Sequence, residues 1–137
     1  MKHPRFELVT VEDQLLHVQF NSGARLEEFL PQFAEVRRMA DEHQVRNILI
    51  DARTFRKKVS AAQRLQVAMA LVENFLGCRV AGVISAESFD PRLLAETMAR
   101  NRGGNVKMTT SLPEARRWLG TRTGTGELPL AQAPRSR

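Results

Sequence analysis

The sequence predicts an α/β sandwich in which an N-terminal β-hairpin is followed by alternating helices and strands. The sheet is mixed, mostly parallel, and built from about five strands with four helices. Three observations predict it. Two segments of alternating or β-branched residues flank a polar turn near the N-terminus. Beyond them, stretches with the 3, 4, 7 spacing of a helix alternate with short continuous apolar runs. Those runs are typical of strands buried on both faces, and helical crossovers are what joins parallel strands.

The hairpin pairs Phe6–Val11 with Leu15–Phe20 around Glu12-Asp13-Gln14. Residues 24–43 follow as a helix with Leu26, Phe29, Leu30, Phe33, Val36 and Ala40 on one face. Pro31 lies inside it and implies a kink, or a helix that properly starts there, because proline lacks the amide hydrogen an interior position needs. Val45–Asp51 reads as a buried strand ending in a carboxylate. A second helix spans about 60–76 and stops at Gly77. Val80–Ile84 is the next buried strand, and Pro91 opens a third helix that runs to about Arg102 before Gly103-Gly104. Val106–Thr109 is a short last strand. Ser111 then caps a final helix with Glu114 at capping-box spacing and Trp118 and Leu119 as inward anchors. Residues 1–120 form one domain in this reading. Residues 121–137, with two prolines and no periodicity, read as a flexible tail.

Composition narrows the function classes. The 137 residues suit one core, and by size scaling about two-thirds of the unfolded surface is buried. The single cysteine, Cys78, excludes an internal disulfide framework. Without a long apolar run or an apolar signal core, a soluble cytoplasmic protein with no membrane insertion is expected. Net charge is +6, and it is uneven: residues 1–50 carry six basic and eight acidic side chains, residues 51–137 fifteen and seven. A nucleic-acid partner is not expected, since there is no helix-turn-helix or RNP-type aromatic motif and no tyrosine. His3, His17 and His43 lack metal-pair spacing, and no nucleophile elbow or phosphate-binding glycine loop occurs. The expectation is therefore a protein that is not an enzyme and needs no cofactor or metal.

The hairpin, the Asn47–Asp51 strand and the closing segments Glu96…Arg100-Asn101-Arg102-Gly103-Gly104-Asn105-Val106 and Glu114-Ala115…Trp118-Leu119 carry a resemblance. Over roughly residues 5–120 the chain resembles the SpoIIAA-like branch of the STAS fold, a group of small bacterial proteins. The resemblance implies a regulatory module. The best-understood STAS proteins are anti-sigma-factor antagonists, phosphorylated on a serine in an Asp-Ser-Ser/Thr-Gly stretch. Here the matching stretch reads Asp51-Ala52-Arg53-Thr54-Phe55-Arg56-Lys57-Lys58-Val59-Ser60, without that motif. Thr54 and Ser60 are the hydroxyls nearest the phosphoacceptor position. An analogy between this branch and CRAL-TRIO-type lipid-binding domains implies an apolar ligand instead.

Two candidate surfaces follow from the residues. In a parallel sheet the Arg53–Lys58 loop lies at the carboxyl end of its strand, where α/β proteins usually bind ligands. With the loops after the next two strands it would form a rim of Arg53, Arg56, Lys57, Ser60, Ser85 and Thr109 suited to a partner protein or a small anion. Ser60 and Ser111 equally cap their helices. Arg100 and Arg102 are expected at the opposite end, with Glu96 and Arg100 as a surface pair. On the second helix Leu65, Ala68, Met69, Val72, Phe75 and Leu76 account for one buried face. Val67, Ala70 and Leu71 then form a surplus that either meets a second copy of the chain in a homodimer or lines an apolar cleft.

Overall fold

A computed structural model describes residues 6–21, 23 and 25–120. The expected tail, 121–137, lies outside the described residues. The chain forms β1 (Phe6–Glu12), β2 (Leu15–Phe20), α1 (Leu26–Phe29), α2 (Gln32–Glu42), β3 (Asn47–Ala52), α3 (Ala61–Asn74), β4 (Arg79–Ile84), α4 (Leu94–Asn101), β5 (Asn105–Thr109) and α5 (Leu112–Leu119). The five strands lie in one sheet in sequence order. β1 is antiparallel to β2, and β2 to β5 run parallel. The predicted α/β architecture with its N-terminal hairpin is thus the observed one. Asp13 and Gln14 both take positive φ, 51° and 63°, which is the two-residue turn whose twist matches a hairpin.

Alternation along the strands divides the core. Leu16, Val18, Phe20, Ile48, Ile50, Val80 and Val106 face the layer built by α1 to α4. Leu15, Leu49, Ala81 and Val83 face the other way, against Ala115 and Leu119 of α5. A short helix thus covers the second face, and His17 and Asp51 are buried on it beside apolar neighbours.

Of the two possibilities at Pro31, the structure shows a helix that starts there: the 24–43 segment is a single turn and then α2, broken at Leu30-Pro31 where the proline supplies no amide hydrogen. Local chemistry corrects three other expectations. Pro91 does not open the third helix. The Asp90 carboxylate first accepts from the Arg92 and Leu94 amides, 3.0 and 3.1 Å, and α4 starts only after Leu93 turns through φ 54°. At α5 Ser111 Oγ accepts from the Glu114 amide, but the Glu114 carboxylate bonds Thr109 and Lys107, so the reciprocal half of the capping box is not made. Trp118 is only half-buried, with the Arg79 guanidinium 4.2 Å above its ring. A complete capping box does form at α3, between Ser60 and Gln63.

The buried face of α3 also differs from the expected one. Ala68, Leu71 and Phe75 are buried, with Val67, Ala70 and Val72 half-buried, whereas Leu65, Met69 and Leu76 are exposed. Of the supposed surplus, Leu71 is therefore core, and Val67 and Ala70 pack against that core. Two stripes lie one residue apart, 64/68/71/75 and 65/69/72/76, each running just past the end of α3, and the first of them carries the buried face.

Candidate functional site

The carboxyl ends of β2 and β3 meet at an open depression of about 420 Å³ lined by Gln19, Asp51, Arg53, Thr54 and Arg56. Arg53 Nε and Nη2 donate to Asp51 Oδ1 and Oδ2 at 3.0 and 2.7 Å, and the Arg53 amide donates to Oδ1 at 3.1 Å. Burial pushes the Asp51 carboxyl up, but these bonds and the guanidinium charge outweigh it and hold it below its ordinary range. Arg56 holds Glu87 through a single oxygen, its Nε and Nη2 both donating to Oε2 at 3.1 and 2.7 Å. Each of the two rim arginines therefore already faces a carboxylate.

The rim hydroxyls do not share that depression. Ser85 and Ser88 are buried, and Ser85 Oγ donates to the Phe55 carbonyl at 2.8 Å while Ser88 Oγ donates to the Lys57 carbonyl at 2.6 Å. They strap the 53–60 loop down. Thr109 is buried and donates to Glu114 Oε1 at 2.8 Å. Ser60 caps α3, and Thr54 Oγ1 donates to the Phe20 carbonyl at 3.3 Å. The side chains of Lys57 and Lys58 are exposed. Arg53, Thr54 and Arg56 are thus brought together, and Lys57, Ser60, Ser85 and Thr109 are not among the residues lining that hollow.

Beneath the strapped loop lies a second, chemically different space. An apolar cavity of about 90 Å³ separates the sheet from α1, α2 and α3. Four phenylalanines form much of its wall: the rings of Phe20 and Phe29 are 4.5 Å apart, Phe29 and Phe55 5.3 Å, Phe20 and Phe33 6.3 Å. Val67 and Leu71 of α3 line it, while Ala70 does not. Gly82 helps to leave the room. It sits inside a buried strand with no side chain, and a Cβ there would come 3.1 Å from Met108 Sδ. That glycine within an apolar run was the sequence signal for the cavity.

On the second face His17 is buried beside Arg116, whose Nη2 lies 3.3 Å from His17 Nδ1. Cys78 is buried, and burial pushes its thiol up. Glu96 is a correction: it is buried, not a surface partner, and accepts from the Met108 amide at 2.7 Å with Arg100 at 3.4 Å. Among the described residues no three His, Cys, Asp or Glu side chains converge as metal ligands. Among them, too, no helix is long and apolar enough to cross a membrane. Against known proteins, the chain matches no family model, and no curated protein matches it.

Proposed function

We propose that this chain is a non-catalytic binding module, a carrier or sensor that holds a small apolar ligand between the sheet and α3. One observation supports it above the others: the space beneath the 53–60 loop has an almost wholly apolar wall. Leaving about 90 Å³ unfilled costs roughly 2 kcal/mol at ~24 cal/mol per Å³. A ligand filling it would recover contacts the protein lacks. The resemblance to the SpoIIAA-like branch of the STAS fold, and the analogy to lipid-binding domains drawn from it, agree with this reading, as does a regulatory role in the bacterial cytoplasm.

The test is a titration with n-butane followed by methyl NMR. Shifts centred on Val67, Leu71 and Met108 are expected. Val67→Phe, which adds bulk to the wall, should weaken binding at least tenfold while the melting temperature holds or rises. Shifts absent at saturating n-butane would overturn the reading.

A second reading places a partner protein or small anion at the rim. The open depression beside Arg53 and Arg56 favours it, with the exposed Lys57 and Lys58 nearby. It has to compete with the carboxylates of Asp51 and Glu87. Arg56→Glu with Lys57→Glu should abolish binding of inorganic phosphate or a captured partner if the rim is the site. Homodimerisation, in this proposal, uses the exposed stripe of α3 in place of Val67, Ala70 and Leu71.

A further inference from the structure

The apolar cavity has one charged residue in its wall, Arg64. We propose that the ligand is a short-chain monocarboxylate, its hydrocarbon in the cavity and its carboxylate on the Arg64 guanidinium. The inference rests on the apolar-ligand reading above and adds the head group and chain length to it.

Arg64 stands in the first turn of α3 with its side chain 19% exposed. The cavity wall is almost entirely apolar, so the arginine contributes its alkyl stem there and carries its charge toward the edge. It also lines a smaller cavity of about 20 Å³ under the 85–93 loop. The two spaces share Arg64, Ile84, Ala95 and Met108 as walls, so Arg64 stands at their junction.

That guanidinium is loosely held. Nη1 donates to the Ser88 carbonyl at 3.3 Å and Nε stands 4.0 Å from Asp90 Oδ2. Nη2 has no hydrogen bond to the described residues. Arg53 and Arg56, by contrast, each make a contact of 2.7 Å to a carboxylate. Asp90 and the buried Glu96, which line the smaller cavity, oppose an incoming anion, but the Asp90 oxygens are already directed at the Arg92 and Leu94 amides and Glu96 Oε1 at the Met108 amide. A carboxylate at Arg64 would gain a charge-assisted bond that the protein itself leaves incomplete.

Volume sets the chain length. An engineered apolar cavity of about 150 Å³ takes up benzene, roughly 25 Å³ per carbon. At that ratio a 90 Å³ cavity holds about four carbons. Pentanoate has four beyond its carboxyl carbon.

The experiment titrates the full chain with straight-chain acids of three to eight carbons and the matching primary alcohols, read by methyl NMR at pH 7. Pentanoate should bind best and about tenfold tighter than 1-pentanol. Arg64→Gln should bring that ratio close to one and leave 1-pentanol binding unchanged. Asp90→Asn should tighten pentanoate severalfold without altering 1-pentanol, which tests the same charge if Arg64→Gln fails to fold. A wild-type ratio near one, or an Arg64→Gln protein that weakens acid and alcohol equally, overturns the proposal and leaves the apolar site standing. Failure of acids, alcohols and n-butane alike overturns both.

Discussion

Arg116 of α5 reaches back across the sheet so that its Nη2 lies 3.3 Å from Nδ1 of His17 on β2. A guanidinium can only donate, so Nδ1 is the acceptor and the neutral ring carries its proton on Nε2. That nitrogen is buried without a partner. Burial first, and then the Arg116 charge, lower the imidazole below its ordinary 6.5, against the weaker pull of Asp51 and Glu12. The unfolded chain therefore binds more protons than the folded one between the lowered value and 6.5, and stability rises with pH across that window. Urea midpoints should fall as the pH drops from 7.5 to 5.5. His17→Gln should flatten that slope, and an unchanged slope in the variant would assign it elsewhere.

The Asp51–Arg53 pair should show strong coupling. Asp51 is 3% exposed at the side chain and Arg53 46%, so removing the arginine strands a nearly buried carboxylate. Arg53→Ala should cost about 1–2 kcal/mol, discounted for the exposed partner, and close to nothing in an Asp51→Asn background. Chemical denaturation of the four proteins measures the difference. Equal costs in both backgrounds would mean that water already satisfies Asp51.

The elements were legible where their signals are local. Hairpin alternation and the apolar runs of β3 and β4 lie within six or seven residues, and each predicted strand is present. What was not legible depends on distant partners. Glu96 reads as half of a helix-surface pair, yet β5 is an edge strand and its Met108 amide takes Glu96 as acceptor. Ser85 and Thr109 were placed at the correct end of the sheet by topology. Their bonds to Phe55 and Glu114 depend on loop conformations that spacing does not encode. The face of α3 turned on a 100° rotation between adjacent apolar stripes, and only the packing of Ala68, Leu71 and Phe75 decides it.

Ser88 ties the 53–60 loop to the body of the protein through the Lys57 carbonyl. The hydroxyl is buried, so Ser88→Ala leaves that acceptor without its short bond and should cost about 1 kcal/mol. The larger effect should be local. Amide hydrogen exchange at residues 55–59 should quicken well beyond that of β3, because the loop opens without global unfolding. Uniform acceleration across β3 and the loop would instead show that the strap and the sheet open together.

Leu65 and Met69 are 41% and 36% exposed on α3, and Leu76, 57% exposed, lies in the turn just past its end. A second copy related by a twofold axis would set this apolar patch against itself, which is the self-complementarity such an interface needs. Withdrawing these side chains from water favours association, and a charge set among them opposes it. At tens of micromolar, light scattering should give twice the chain mass for the wild type. Leu76→Glu should halve that value without lowering the melting temperature of the monomer, since the side chain is already more than half exposed. A monomeric wild type at that concentration would remove the dimer and leave the stripe as solvated surface.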